Sequence, residues 1–211
     1  MNSVPERRPD WVKPDGSRID TLRTRALEVA TELVATRGPD HVNVRDIAEL
    51  LQTGPSSLYY YFKSKDALLA EVAAEGFRSL EAKVRASRAD PQRPPISACG
   101  GAYLRFIREN QMLYKVMYSE RILANFEGAQ AAEHRACETF VRLIADDADA
   151  PEAEEGALAL WAFGRGVAAL AIASETTDPG SGRDLTRKLV RGLEALMGRQ
   201  IRYQPEGASE P

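Results

Sequence analysis

Hydroxyl, phenol and ammonium groups are concentrated between residues 55 and 65. The segment Pro55 to Tyr61 carries two serines and three tyrosines, and Lys63 and Lys65 follow it. Hydroxyl groups exchange hydrogen bonds with base edges, and lysine ammonium groups bind phosphate oxygens. A Tyr-Tyr-Tyr-Phe run is also typical of a helix packed in a core or an interface. The residue types alone leave both nucleic-acid binding and packing open.

Two short predicted helices and a tight turn position these residues. Asn43 is a favoured N-cap residue, and apolar residues follow it at the spacing of a helix face. These apolar residues are Val44, Ile47, Ala48 and Leu51. The segment Gln52 to Gly54 interrupts the pattern, and Pro55 then occupies the first helical position, which proline favours. With Ser64 capping a long helix beyond, the order of elements predicts a helix-turn-helix.

Helical periodicity separates the two faces of the second short helix. Leu58 and Phe62 are four residues apart and are predicted to face the core. The side chains left for the major groove of DNA are Ser56, Ser57, Tyr60 and Tyr61. Lys63 and Lys65 would then lie at the height of the backbone phosphates.

The whole chain is predicted to be all-α, with about nine helices and neither strand-like alternation nor an internal repeat. We expect a helix-turn-helix domain over residues 17–66 and a regulatory and dimerisation domain over residues 67–203. The later helices are placed at about 96–109, 111–118, 127–147, 153–176 and 183–199. Residues 1–16 and 204–211 are predicted to be a disordered arm and tail.

The overall composition argues against several other classes of protein. The formal net charge is −3, so DNA binding must come from a local face rather than from a general basic excess. Cys99 and Cys137 are too few and too isolated for a disulfide framework or a thiolate zinc site. His41 and His134 are the only histidines, and no nucleophile motif accompanies them. We expect no enzyme activity, no cofactor and no metal site.

One apolar stretch, Gly156 to Ala173, approaches the length of a membrane span. Arg165 lies near its middle, and the stretch is rich in alanine and glycine rather than in large aliphatic residues. Such a helix is more often buried between other helices, so we predict a core helix and no membrane partner. The polar N-terminal segment lacks the pattern of a secretory signal, and a cytoplasmic location is expected.

The helix-turn-helix segment resembles the DNA-binding domain of the TetR (tetracycline-repressor) family. The residues that carry the resemblance are Val44-Arg45-Asp46-Ile47-Ala48 and the segment Gly54 to Leu69, within a likeness that runs from about Ser17. Gln52 stands where the family usually has glycine, and Gly54 stands at the usual polar cap. The resemblance implies base contacts by Arg45, Ser56, Ser57, Tyr60 and Tyr61, and phosphate contacts at or beside Tyr59, Lys63 and Lys65.

The C-terminal part more loosely resembles the family's ligand-binding domain, in particular its Trp-His-Gly (WHG) subgroup. The segment Ala102 to Tyr118 carries part of the likeness, and Trp161 precedes Arg165-Gly166, so that arginine replaces the histidine. The resemblance implies a pocket for a small-molecule effector of unknown identity. Its predicted lining residues are Phe106, Met117, Tyr118, Trp161, Phe163 and Arg165. Aromatic residues at helical spacing also fill ordinary cores.

Arg165 has three open explanations, because a charge in the middle of an apolar helix requires a partner or water. It could pair with a carboxylate of its own chain, such as Glu109 or Glu120, with a second subunit, or with an anionic ligand.

These patterns together predict an Ω-shaped homodimer that binds a palindromic operator in double-stranded DNA. Dimerisation is expected through the last two long helices, where Leu185, Leu189, Leu193 and Leu196 form an apolar stripe. The expected function is transcriptional repression that the effector relieves, with activation as the less favoured mode of regulation. The alternative is a ligand-sequestering helical protein that does not bind an operator.

Overall fold

The computed structural model describes residues 18–89, 92–145, 152–178 and 180–197. Helix dominates all four ranges, and no strand occurs within them. The all-α fold class predicted from the sequence is therefore confirmed. The predicted arm over residues 1–16 and tail over residues 204–211 lie outside the described residues.

The helices found in the described ranges include every helix that the sequence predicts. They are α1 (Arg18–Arg37), α2 (Val44–Leu50), α3 (Pro55–Tyr61), α4 (Lys65–Ala86), α5 (Pro95–Glu109), α6 (Gln111–Met117), α7 (Glu120–Asn125), α8 (Glu127–Ala145), α9 (Ala153–Thr177) and α10 (Ser181–Met197). Short 3-10 turns follow α1 at Pro39–His41 and α4 at Ser87–Ala89. The additional helix is α7, in which only Ile122 is buried. One buried residue in so short a segment produces no recognisable periodicity.

Helix α4 is the central helix of a first compact unit, which covers residues 1–158. Its buried apolar face includes Leu68, Leu69, Val72, Phe77, Leu80 and Val84. Helix α8 packs along it with small side chains, because Ala129, Ala132 and Ala136 are all buried. Helix α6 also approaches closely, since a Cβ atom at Gly76 would lie 2.7 Å from the Met117 sulfur.

A polar network joins α4 to α8 beside this apolar contact. The Thr139 hydroxyl donates to Glu81 Oε1 at 2.9 Å, and Arg85 Nη2 donates to the same oxygen at 2.8 Å. Arg85 Nη2 also donates to the Thr139 hydroxyl at 3.0 Å. These hydrogen bonds, with the Arg85 bond as the largest contribution, lower the pKa of Glu81 below its usual value of 4.5. The network therefore favours an ionised carboxylate between the two helices.

The second compact unit, residues 159–211, contains most of α9 and all of α10. Its tight turn is held by Glu175, whose carboxylate accepts the Gly180 N–H at 2.8 Å and the Gly182 N–H at 3.0 Å. Gly180 has a φ of 93°, in the left-handed region that favours glycine. A Cβ atom at Gly182 would lie 2.5 Å from the Ala171 carbonyl oxygen. The two helices therefore meet backbone to backbone at this turn.

Helix α9 is more exposed within one chain than the sequence predicts. Among the described residues it is the one helix long and apolar enough to cross a membrane, with a mean hydropathy of 1.6 in its most apolar 18-residue stretch. Only 28% of that stretch is buried, and Leu158 and Leu170 are each more than half exposed. Burial within a single chain therefore does not account for the apolar character of this helix.

The two compact units do not divide at the predicted boundary between residues 66 and 67. That boundary falls within the first turn of α4, which contacts α1 on one side and α5, α6 and α8 on the other. The division into a DNA-binding and a regulatory domain therefore stays a prediction.

Candidate nucleic-acid interface

Helix α2 is fixed by a side-chain cap at its start and by burial along one face. Asn43 Oδ1 accepts the backbone N–H of Arg45 at 3.0 Å, as expected of an N-cap. Val44, Ile47 and Ala48 are buried, whereas the Arg45 side chain is exposed. The sequence thus directs Arg45 away from the core.

The turn between α2 and α3 has the hydrogen bonds of a Schellman motif. The Thr53 N–H donates to the Ala48 carbonyl at 2.9 Å, and the Gln52 N–H donates to the Glu49 carbonyl at 3.0 Å. Gln52 has a φ of 52°, the left-handed conformation that this motif requires and that glycine adopts at least cost. The chain therefore keeps the tight turn although it lacks the usual glycine.

Helix α3 is anchored by its first residue and by two buried side chains. Pro55 occupies the first helical position behind an extended Gly54, which provides no side-chain cap. Leu58 and Phe62 are each 1% exposed, which confirms their predicted place in the core. Since they occupy one face of the helix, the opposite face is directed to solvent.

An interaction with α1 supports the end of α3. The Arg23 guanidinium lies 5.9 Å from the centroid of the Phe62 ring and pairs with Glu71 of α4 at 2.6 Å. A guanidinium at this distance from a ring face is attracted to it. Arg23 therefore connects α1, the end of α3 and the first half of α4.

The solvent-facing side of α3 carries the predicted hydroxyl and phenol groups. Tyr60 is 70% exposed and Tyr59 is 43% exposed, and Ser56 and Ser57 are also exposed. Tyr61 is half-buried, with its ring edge-on to Tyr60 at a centroid distance of 5.2 Å. Large exposed aromatic side chains on a short helix are unusual for a core element and typical of a binding surface.

Two lysines lie just beyond the C-terminal end of α3. Lys63 Nζ donates to the Tyr60 carbonyl at 3.3 Å and lies 5.6 Å from the centroid of the Tyr60 ring. Lys65 Nζ donates to the Asp40 carbonyl at 3.0 Å. Within the described residues neither ammonium group forms an ion pair, so both keep donors for a phosphate. All eight residues predicted to contact DNA thus lie on α2, on α3, at the start of α4 or, for Lys63, in the short segment between α3 and α4.

Two family models match the chain. One, described as bacterial regulatory proteins of the tetR family, matches residues 26–72. The other, described as a tetracyclin repressor-like C-terminal domain, matches residues 96–193. The chain belongs to the tetR family of bacterial regulatory proteins. The WHG subgroup stays a prediction, because neither description names it.

Individual similar proteins agree with this membership. An uncharacterized HTH-type transcriptional regulator in the dhlA 5′ region of Xanthobacter autotrophicus is 32% identical over 84 residues, which are 40% of this chain and 39% of that protein. The match thus spans about two fifths of the length of this relative. A tetR-family regulatory protein from Rhodococcus RHA1 has a TM-score of 0.57 at 22% identity, covering 87% of this chain and 98% of that one. The multidrug binding protein EbrR complexed with imidazole also has a TM-score of 0.57, at 20% identity, covering 85% and 96%.

The residues predicted to line the effector pocket lie in both compact units of this TetR-family chain. In the first unit Phe106 and Met117 are buried. Tyr118 is half-buried there, with its hydroxyl 3.3 Å from that of Tyr103 and its ring edge-on to Phe77 at 5.2 Å. Tyr118 thus packs against aromatic side chains of the first unit.

The other three predicted pocket residues lie on α9 in the second unit. Trp161 is buried, Phe163 is half-buried and Arg165 is exposed. Exposure to water removes the desolvation penalty that singled out Arg165 in the sequence. A single pocket formed by all six residues therefore stays a prediction.

The first unit also contains a cleft that the sequence did not indicate. Its volume is about 440 Å³, and it lies between the end of α4, the segment after it and α5. The lining residues are Lys83, Ala86, Ser87, Arg93, Ala98, Ala102, Arg105, Phe106 and Glu109. Of the predicted effector residues, Phe106 alone lines this cleft. We call this feature the α4–α5 cleft.

Proposed function

We propose that this chain is a sequence-specific DNA-binding repressor that acts as a homodimer and is released from its operator by a small molecule. The observation that carries the proposal is the solvent-facing side of α3, where Ser56, Ser57 and Tyr60 are exposed above the buried anchors Leu58 and Phe62. A short, rigidly held helix with exposed hydrogen-bonding groups fits the major groove. Family membership supports this reading.

We assign two kinds of DNA contact, guided by the resemblance to the TetR family. Base edges are read by Arg45, Ser56, Ser57, Tyr60 and Tyr61, and phosphates are held by Tyr59, Lys63 and Lys65. The two lysines lie on the side of α3 where the chain leaves the helix, so they meet the backbone rather than the bases.

The experiment begins with selection of a binding site from a random duplex library, because the operator is unknown. Lys65→Ala should then weaken binding to all sequences alike and reduce the salt slope of the affinity by about one unit. Tyr60→Ala should instead lose about 1–3 kcal/mol of discrimination between the selected site and its base variants. Lys115→Ala, an exposed lysine of α6, is the matched control and should change neither quantity.

Two outcomes of this experiment contradict the assignment. If Lys65→Ala altered the base preference and left the salt slope unchanged, Lys65 would contact bases rather than phosphates. Failure of the parent protein to select any duplex would favour the alternative function, sequestration of a ligand without operator binding.

Dimerisation uses α9 and α10 in this proposal. Leu158 and Leu170 are 53% and 54% exposed, and Leu185 and Leu189 on α10 are only half-buried. Exposed apolar side chains on two long helices, one of them rich in alanine and glycine, suit a four-helix interface between two copies. Two-fold symmetry then requires a palindromic operator.

The remaining parts of the proposal rest on family membership. A protein of this family acts inside the cell, in the cytoplasm, and as a regulator rather than as an enzyme. The multidrug binding protein with the same fold is complexed with imidazole, which supports a small organic molecule as the effector here.

A further inference from the structure

The α4–α5 cleft combines cationic side chains with an apolar wall. Lys83 comes from the last turns of α4, Arg93 from the segment before α5, and Arg105 from the middle of α5. Phe106 and three alanines supply the apolar surface. The volume of about 440 Å³ falls within the range of pockets that hold small organic ligands.

Among the described residues, the three cations of this cleft have no carboxylate partner. Lys83, Arg93 and Arg105 take part in no ion pair there, whereas Arg78 and Arg85, the two arginines of α4, and several arginines elsewhere do. The one carboxylate of the lining, Glu109, lies 3.8 Å from Arg108, which is outside the cleft. Three positive charges and a single negative charge thus line one concave space, which leaves a net positive charge at the cleft.

The position of Arg93 is defined by its neighbours. Its carbonyl accepts a hydrogen bond from Arg88 Nη1 at 3.1 Å, which ties the segment before α5 to the end of α4. Its guanidinium lies over α5, because a Cβ atom at Gly101 would be 3.3 Å from Arg93 Nη2. Glycine at position 101 therefore leaves room for the guanidinium at the cleft.

We propose that the α4–α5 cleft binds a small organic oxyanion, a carboxylate or phosphate attached to an apolar body. The oxyanion accepts hydrogen bonds from Arg93, Arg105 and Lys83, and the apolar body lies against Phe106 and the alanines. Guanidinium groups suit both headgroups, because their planar fork donates two parallel hydrogen bonds. The assignment of this anion as the effector rests on the proposed function, whereas its binding does not.

This proposal differs from the pocket predicted with Arg165 as its polar anchor. It uses no residue of α9. One of its cations, Lys83, lies near the C-terminal end of α4, whereas α3 precedes the other end of that helix. An anion bound here contacts the same helix that carries Lys65 at its start.

The test uses the full chain and two fluorescent probes. The first probe, 1-anilinonaphthalene-8-sulfonate, carries a sulfonate oxyanion, and the second, N-phenyl-1-naphthylamine, has the same ring system without it. The double variant Arg93→Gln/Arg105→Gln should weaken sulfonate-probe binding by about tenfold or more and leave the neutral probe unchanged. Arg142→Gln, an exposed arginine of α8 outside the cleft, is the control and should bind both probes as the parent does.

Salt provides a second measurement that depends on no variant. Affinity for the sulfonate probe should fall as sodium chloride rises from about 0.05 to about 0.5 M, while affinity for the neutral probe should not. Equal affinity of the parent for the two probes, or an unchanged sulfonate affinity in a folded double variant, would overturn the proposal.

Competition identifies the headgroup. Displacement of the sulfonate probe by decanoate supports a carboxylate, displacement by decyl phosphate supports a phosphate, and failure of both contradicts the oxyanion class. DNA affinity of the ligand-free double variant is measured separately and should equal that of the parent. If the ligand-free parent failed to bind any DNA, the proposed function would be contradicted and the anion site would still stand.

Discussion

At the scale of the residue, Gln52 carries a conformational penalty that the turn imposes on it. Its φ of 52° places a side chain in the left-handed region, which disfavours every residue with a Cβ atom except in part asparagine and aspartate. We expect Gln52→Gly to raise the free energy of unfolding by about 0.5–1 kcal/mol, because the relief of strain exceeds the added entropy of the unfolded chain. Urea denaturation followed by circular dichroism measures the change.

A glycine substitution three residues earlier in the chain, at Glu49, is the matched control for this prediction. Glu49 is exposed and helical, so Glu49→Gly should lower the free energy of unfolding by about 1 kcal/mol. If the two variants were equally destabilised, the left-handed residue would not be under strain.

The starts of the three helices around this turn show why the helix-turn-helix could be predicted residue by residue. Asn43 and Ser64 each begin a helix by accepting a backbone N–H within three residues, and Pro55 begins one through its restricted φ. The structure places a helix start at all three. Such signals depend only on neighbours in the chain. Arg23 could not be assigned in the same way, because its partners Phe62 and Glu71 lie 39 and 48 residues further along the chain.

At the scale of the element, an ionised carboxylate adds to the apolar packing of α4 against α8. The pKa of Glu81 is lowered in the folded protein, chiefly by the hydrogen bond from Arg85, so the native state favours the charged form. The resulting stability is present above the unfolded pKa, near 4.5, and is lost as the pH falls through the lower folded pKa. Glu81→Gln keeps the shape but removes the charge. This substitution should lower the free energy of unfolding by about 1 kcal/mol at pH 7. The difference from the parent should shrink below about pH 4.5.

The control for this pH dependence lies on the exposed face of the same helix. Glu75 pairs with Arg78 at 2.7 Å, and both side chains are nearly half exposed. Glu75→Gln should therefore change the free energy of unfolding by less than about 0.5 kcal/mol at pH 7. Denaturation curves at pH 7 and pH 4 decide the matter. If Glu81→Gln lowered the free energy of unfolding equally at both pH values, the charge of Glu81 would not contribute to the stability of the network.

The turn between α9 and α10 provides a second prediction at this scale. A methyl group at Gly182 would lie 2.5 Å from a backbone oxygen, which cannot move as the end of a flexible side chain can. Gly182→Ala should therefore lower the melting temperature. Gly192→Ala on the same helix meets no atom within 4 Å and should raise it, since alanine is favoured over glycine in a helix by about 1 kcal/mol. If Gly182→Ala melted at a higher temperature than Gly192→Ala, α9 and α10 would not approach closely at Gly182.

At the scale of the whole molecule, features assembled from distant segments escape prediction. The α4–α5 cleft takes one cation from each of three segments, and none of Lys83, Arg93 and Arg105 stands out in its own surroundings. The apolar helix α9 was recognised from its composition, yet its burial was predicted too high, because composition does not say whether the covering surface belongs to the same chain.

Dimerisation through α9 and α10 gives the prediction that involves the entire molecule. Leu189 is half-buried on α10, and Leu189→Arg would place a charge in the proposed apolar interface between two copies. We expect a folded monomer in sedimentation, with dimer affinity reduced on the order of 100-fold. Operator affinity should fall with it, since two half-sites are no longer bound by one linked particle. Thr177→Arg adds the same charge at the exposed end of α9 and should leave the dimer intact. A Leu189→Arg protein that sediments as a dimer with undiminished operator affinity would show that the copies associate through another surface.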